Sequence, residues 1–212
     1  DHPAYDEQLD APFADVIPNV YAELDGVVGA TLARMPPDTT LVVMSDHGFT
    51  SIRREFDLNA WLRQRGYLAV IDPYLEEDPG LLLNVDWTRT RAYGLGLNGL
   101  YLNLQGRERD GIVAPTQRQA LIDEISQALL DSNDPATGLP VVTRMYQRDQ
   151  IYNDQGQLQI GPDLQVGYGP HLQCAQGSAI GKVGGKVLSD NRDQWSGNHA
   201  MDHELVPGVL FS

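Results

Sequence analysis

Residues 41–49, "LVVMSDHGF", constrain the fold more than any other part of the sequence. The stretch begins with four apolar residues, a pattern typical of a short, fully buried strand of a parallel sheet. Before it, "MPPDTT" ends a pattern over residues 16–35 in which apolar residues recur every three or four positions, as in an amphipathic helix. Helix, tight turn and buried strand are half of a right-handed βαβ unit, so the sequence predicts an α/β fold.

Asp46 and His47 stand where this predicted strand ends. Ligand sites of open α/β sheets gather beyond the carboxyl ends of strands, and a turn at Gly48 can direct both side chains toward one point. A carboxylate next to a neutral imidazole suits zinc or manganese. The dipeptide alone leaves a second interpretation open, in which Asp46 serves the turn and His47 is an ordinary polar residue at the sheet edge.

A second candidate segment is "SGNHAMDHELVPGVLF" near the C-terminus. His199 lies there in a Ser-Gly turn just before an apolar strand, and loop residues held beside a sheet commonly carry function. His203 follows four residues later, but the residues around it do not indicate a helix, and we interpret it as a solvent-facing histidine. Arg53 and Arg54 follow the Asp-His-Gly turn closely enough to bind a phosphate, although paired arginines are also typical of a solvated surface.

The middle of the chain predicts a smaller α+β lobe. "RAYGLG" and "GLYLNL" indicate a β-hairpin, and "VVTRMY" and "DLQVGY" indicate two further strands. Asp57 is placed to cap a short helix, and Asp163 is interpreted as a turn former before its strand. A longer helix presents an apolar face made of Leu121, Ile122, Ile125, Leu129 and Leu130. We therefore expect residues 1–55 to form part of the α/β core, 56–175 the smaller lobe, and 176–212 the return to the core.

Composition narrows the classes of partner. Twenty-nine acidic against 15 basic residues give a formal net charge of -14, which would repel the backbone of a nucleic acid polymer. No apolar run is long enough to span a membrane, and the first residues do not have the pattern of a signal peptide. The single cysteine, Cys174, excludes a disulfide framework within the chain and is weakly compatible with a reducing compartment, so a cytoplasmic location is favoured.

Taken together, the segments resemble the type I phosphodiesterase and nucleotide pyrophosphatase branch of the alkaline phosphatase superfamily. The resemblance covers nearly the whole chain and is carried by "HPAYDEQL", "VYAELDGVVG", "LVVMSDHGF", "FDLNAWLRQRGYLAV", "NVDWTRTRAYGLGLNGLYLNLQGRE", "PDLQVGY" and "SGNHAMDHELVPGVLFS". It implies an alkaline-phosphatase-like α/β fold, a small phosphoester substrate and two divalent metal ions, usually zinc. In such a site Asp46 and His47 would bind one ion, and His199 would be the late histidine ligand of the other.

The resemblance also implies residues that this chain does not contain. No Asp stands four residues before any of the five histidines, so the D-x-x-x-H ligand pair of the family is missing. The strand-end Asp and the nucleophilic Thr or Ser of the family are expected upstream. We therefore expect a C-terminal fragment of a two-metal phosphoester hydrolase, with no catalytic nucleophile of its own and little or no activity in isolation.

Two alternatives remain at this point. One is another superfamily chemistry, like that of a phosphoglycerate mutase or a sulfatase, and the other is a non-catalytic binding or structural domain that kept the fold. If half of a parallel sheet is lost, a strand edge and apolar surface are exposed, so self-association of the chain is also expected.

Overall fold

The computed structural model of the chain describes residues 5–153 and 159–212. They form a mixed α/β structure with several small sheets, which confirms the predicted class at that level. Most strand pairs are antiparallel, and within the described residues β3 (Arg54–Phe56) and β8 (Leu172–Cys174) form the one parallel pair. The predicted division into three sequence regions stays a prediction.

The predicted N-terminal helix is present as α2 (Val16–Leu32), after the short α1 (Glu7–Asp10) and a 3-10 turn at Ala11–Phe13. Pro18 lies in its first turn, where no intrahelical N–H bond is lost. None of the 17 residues of α2 is buried. The apolar stripe that predicted an amphipathic helix therefore faces solvent in this structure.

The strand of the Asp-His-Gly segment differs from its prediction. β1 (Val43–His47) pairs antiparallel with β11 (Pro207–Phe211), and the two form a two-stranded ribbon whose residues are mostly exposed. The prediction of a buried parallel strand, and with it of half a βαβ unit, is wrong for this structure. A short apolar run is buried only if other elements of the structure cover it. The sequence of the run gives no information about which elements those are.

The core lies around the middle of the chain. A four-stranded antiparallel sheet has the order β4 (Ala92–Gly94), β5 (Gly99–Leu102), β7 (Leu164–Tyr168) and β6 (Val142–Gln147), which confirms the hairpin and both later strands. Helix α4 (Arg118–Leu130) buries four of the five predicted apolar residues, Leu121, Ile122, Ile125 and Leu129. The remaining helical elements are short. They are α5 (Arg148–Ile151), α6 (Gln176–Ala179) and the 3-10 turns at Pro115–Gln117 and His203–Leu205.

A second, three-stranded sheet connects the core to the C-terminal segment. β3 lies between β8 and β9 (Leu188–Asp190), and α3 (Leu58–Gln64) follows β3 directly. Asp57 caps α3 as predicted, since its Oδ1 accepts the Ala60 N–H at 2.8 Å. Gly66 follows the helix with φ 77°, the left-handed conformation that ends many helices.

Asp163 is a fully buried carboxylate and not the turn former that the sequence predicted. Its Oδ2 accepts the Leu102 N–H at 2.9 Å and lies 2.6 Å from Nη2 of Arg107, and its Oδ1 lies 3.0 Å from Nε of Arg118. Arg148 approaches the same oxygen at 3.7 Å. The residue thus joins β5, β7, α4 and α5, an arrangement that no local sequence pattern reveals.

Within the described ranges, no helix is long and apolar enough to cross a membrane.

Candidate metal centre

Asp46 and His47 lie at the end of β1, as the sequence predicted. His47 Nδ1 donates to the carbonyl oxygen of Gly48 at 2.9 Å, which leaves Nε2 with a free lone pair. That Nε2 lies 3.7 Å from Asp46 Oδ1. Two ligands of one tetrahedral zinc ion are separated by about 3.3 Å, given metal–ligand bonds of about 2.0 Å. The two donors therefore need only a small side-chain adjustment to bind one ion together.

His199 reaches His47 through a short strand pair. β2 (Thr50–Ser51) pairs antiparallel with β10 (Gly197–Asn198), so that Asn198 lies opposite Thr50. His199 follows β10 directly, and its ring stacks on the ring of His47 with centroids 3.7 Å apart and planes at 8°. The fold thus brings His199 beside the adjacent pair Asp46 and His47, from which it is separated by some 150 positions in the sequence.

A chain of amide and carboxylate groups holds the backbone of His199. The His199 N–H donates to Asn198 Oδ1 at 2.7 Å, and Asn198 Nδ2 donates to Gln173 Oε1 at 2.7 Å. Gln173 Nε2 in turn donates to Glu55 Oε1 at 3.0 Å. Because Gln173 and Glu55 are paired residues of β8 and β3, the three-stranded sheet positions the histidine loop.

Gly48 allows the C-terminal segment to pass close to the Asp-His turn. Its N–H donates to the Val206 carbonyl at 2.9 Å, and a Cβ at this position would lie 3.0 Å from the Pro207 carbonyl oxygen. A contact this short is tighter than nine in ten real Cβ contacts. A larger residue in place of Gly48 would therefore have to push the C-terminal segment away by a few tenths of an ångström.

A cavity of about 550 Å³ lies against these three residues. It is lined by Asp46, His47, His199, Met201, His203, Glu204, Val206, Pro207 and Gly208. A volume of this size is within the range of small-molecule sites. The lining combines three imidazoles with two carboxylates, a donor set of the kind that binds borderline-soft divalent ions.

The sequence interpretation did not assign His203 to this cavity. Its side chain is 74% exposed, as expected for a loop histidine, but its ring is held by Tyr146 of β6, whose hydroxyl lies 3.1 Å from Nδ1. The Tyr146 hydroxyl also lies 3.1 and 3.2 Å from the two carboxylate oxygens of Asp202, which is buried. The sequence does show an acid directly before this histidine, in "MDHE". It does not show the tyrosine that links the two side chains, because Tyr146 is 57 positions away from His203.

The donor set fits divalent metal ions in part. Asp46 Oδ1 and His47 Nε2 are adjacent, and the Gly48 carbonyl satisfies the second nitrogen of His47, as is common for zinc-binding histidines. No three His, Cys, Asp or Glu side chains are grouped closely enough to hold one ion, as far as the structure describes the chain. The assignment of these residues to two ions stays a prediction.

Arg53 and Arg54 lie elsewhere in the structure. Arg54 is paired with Asp134 and Asp190 at 3.0 Å each, so its charge is already compensated. Arg53 lines a small cleft with Asp134 and His171, and neither arginine is among the residues lining the cavity at Asp46. The predicted phosphate-binding role gains no support from this arrangement and stays a prediction.

Comparison with known proteins identifies one family. The family model described as type I phosphodiesterase / nucleotide pyrophosphatase matches residues 2–183. Asp46 and His47 lie inside the matched range and His199 lies beyond it. No curated protein and no solved structure matches the chain.

Proposed function

Because the chain belongs to the type I phosphodiesterase / nucleotide pyrophosphatase family, we propose that Asp46, His47 and His199 are ligands in a two-metal centre that hydrolyses a small phosphoester. The observation that carries the proposal is the convergence of the three side chains, which come from β1 and from the loop after β10, on one cavity. Zinc is the preferred ion for a set of imidazoles and a carboxylate, and manganese is the alternative.

The charges at the cavity support a metal-dependent substrate site. Asp46 and Glu204 line it, and the whole chain carries a formal net charge of -14, so an anionic phosphoester would be repelled by the protein alone. Bound divalent ions would reverse the local sign and stabilise charge on the attacking and leaving oxygens. The same acidity opposes binding of a nucleic acid polymer.

The residues of this chain orient donors rather than attack the substrate. The Gly48 carbonyl fixes the tautomer of His47, and the β2–β10 pair sets the position of His199. A D-x-x-x-H pair is absent from the sequence, and no nucleophile is identified in it. Incomplete coordination weakens metal binding, and without a nucleophile the covalent step has no residue to carry it. We expect the 212 residues alone to hydrolyse phosphodiesters weakly or not at all.

Metal binding by Asp46 tests the proposed ligand set. We expect zinc titration of the purified chain, followed by calorimetry, to show at least about tenfold weaker binding for Asp46→Ala, since a lost ligand costs at least as much as a lost supporting residue. Asp38→Ala is the matched control, because Asp38 is exposed in a loop away from the cavity. Equal zinc affinity in both variants and the unmodified chain would remove Asp46 from the site.

Catalytic incompetence is tested separately with bis(p-nitrophenyl) phosphate in the presence of zinc or manganese. We expect no hydrolysis above that of the free ions. Appreciable turnover that is lost in His199→Ala would show instead that these residues suffice for the reaction. Zinc binding that depends on Asp46 without any turnover would be compatible with a non-catalytic metal-binding domain as well, so the two measurements are read together.

A further inference from the structure

We propose that His203 is a further metal-binding imidazole of the cavity, and that Asp202 and Tyr146 are the positioning residues that aim it. The inference rests on the proposed metal centre and adds to it a ligand from this chain's own residues. It starts from the observation that His203, Asp46, His47 and His199 line one cavity, although His203 comes from a separate 3-10 turn.

The protons of the Asp202–Tyr146–His203 chain can be assigned from its chemistry. A carboxylate has acceptors only, and both oxygens of Asp202 lie within 3.2 Å of the Tyr146 hydroxyl, so the phenol donates its single proton to Asp202. The phenol oxygen then accepts from His203 Nδ1–H at 3.1 Å.

This assignment leaves the Nε2 lone pair of His203 free for a ligand. The ring is 74% exposed, so protein atoms do not enclose it. His47 shows the same pattern, with Nδ1 satisfied by the Gly48 carbonyl and Nε2 free. Histidines that bind metals almost always donate their second nitrogen to a carboxylate, a carbonyl or a similar group, which fixes the tautomer and raises ligand basicity. Here a phenol passes that effect on from the carboxylate.

Several hydrogen-bond donors hold the carboxylate of Asp202 in place. Its carboxylate also accepts from the Thr143 hydroxyl at 3.2 Å and from the Glu204 N–H at 3.0 Å, and its side chain is 1% exposed. Gly167 of β7 makes room for it, since a Cβ at that position would overlap Asp202 Oδ2. Burying a carboxylate costs free energy unless hydrogen bonds compensate it, and these donors supply that compensation for Asp202. They also fix the carboxylate in the position from which it accepts the proton of Tyr146.

The tautomer of His203 provides a test that needs neither metal nor turnover. We expect the NMR shifts of the two ring nitrogens to show a protonated Nδ1 and a bare Nε2 at pH values where the ring is neutral. Tyr146→Phe should return His203 to the tautomer mixture of an exposed histidine. Tyr93→Phe is the matched control, because it removes another partly buried phenol that bonds an acid, Glu108. A protonated Nε2 in the unmodified chain would overturn the positioning role.

Zinc titration of the same proteins tests the ligand role. We expect about 10- to 100-fold weaker zinc binding for His203→Gln, and about tenfold weaker binding for Tyr146→Phe. His171→Gln, which removes a histidine outside the cavity, should bind zinc as the unmodified chain does. Circular dichroism of each variant verifies that it is folded.

The outcomes separate the two proposals. Zinc affinity that falls in Asp46→Ala but is unchanged in His203→Gln would overturn this inference and leave the proposed function standing. Affinity that falls in both variants supports both. No zinc binding by the unmodified chain would overturn both, whatever tautomer His203 has.

Discussion

At the scale of single residues, Asp163 shows what burial demands of a charge. The carboxylate is fully buried and is compensated by Arg107 and Arg118, which come from separate segments of the chain. Such a group is tolerated in the core because each oxygen has a charged partner and one also accepts a backbone N–H. Burial lowers the pKa of the third arginine, Arg148, in spite of the opposing effect of Asp163, which indicates how poorly solvated this cluster is.

Replacing Asp163 should therefore be one of the most damaging single changes. We expect Asp163→Asn to lower the free energy of unfolding by about 3 kcal/mol, because it removes the buried carboxylate that compensates three partly buried guanidinium groups, of which Arg107 alone keeps a second ion-pair partner, Glu108. Urea denaturation measures the change. Glu77→Gln, which removes a carboxylate that is 89% exposed and 3.8 Å from Lys182, should have no measurable effect. A loss of stability equal in the two variants would contradict the interpretation of Asp163.

Cys174 offers a pH-dependent test. Burial raises the pKa of its thiol to about 11, and the thiolate is the reactive form. We expect alkylation by iodoacetamide near neutral pH to be slow in the folded chain, to speed up as the pH approaches the raised pKa, and to be fast after unfolding in urea. A folded-state rate equal to that of the unfolded chain would show that the thiol is neither buried nor shifted.

At the scale of secondary-structure elements, the β1–β11 ribbon decides where His47 lies. A two-stranded ribbon is only marginally stable by itself, so the local fit between its strands matters. Gly208 lies opposite the Ser45–Asp46 backbone, and a Cβ there would overlap the Ser45 carbonyl oxygen. The ribbon therefore needs glycine at this position for close approach, and not for an unusual φ.

Gly208→Ala should separate the two strands and displace Asp46 and His47. We expect zinc affinity to fall, and backbone amide resonances of residues 43–47 and 207–211 to shift. Gly185→Ala is the matched control, because nothing lies within 4 Å of a Cβ there and the φ of Gly185 is not in the left-handed region. Unperturbed ribbon resonances in Gly208→Ala would show that the strands can move apart without cost.

Local patterns did predict several elements correctly. Asp57 capping α3, the β4–β5 hairpin and the apolar face of α4 all follow from residues close together in the sequence. The pairing of β1 could not be predicted in this way. Its apolar residues indicate a buried strand but do not specify the partner or the direction of pairing, and the partner strand lies some 160 residues further along the chain.

At the scale of the whole molecule, two elements rich in apolar residues remain exposed. They are α2 and the β1–β11 ribbon, and their large apolar members are 47–71% exposed: Val16, Ile17, Val20, Tyr21, Leu24, Val27, Leu32, Met44, Val209, Leu210 and Phe211. Monomeric proteins rarely leave large apolar patches in water, and the open edges of the ribbon can pair with another strand. In contrast, the buried hydrophobic core lies around α3, α4 and the four-stranded sheet and includes no residue of α2 or of the ribbon.

We therefore expect the chain to self-associate. Analytical ultracentrifugation should show a mass that rises with protein concentration, and more strongly with added salt, because salt screens the repulsion between chains of net charge -14. Leu24→Glu should weaken the association, whereas Tyr74→Glu, at a residue that is 90% exposed in a separate loop, should not. A monomer at every concentration and salt level would contradict the expectation.

The sequence by itself determined the α/β class, helices α2, α3 and α4, the β4–β5 hairpin, the family, and the candidate donors Asp46, His47 and His199, because these depend on local patterns and on motifs of a few residues. Only the tertiary structure decided that β1 pairs with β11, that Asp163 is a buried ion-pair centre, and that Tyr146 and Asp202 hold His203 at the cavity. The physical reason is that each of these depends on at least one partner more than 50 residues away in the chain, which the packing of the whole molecule brings close.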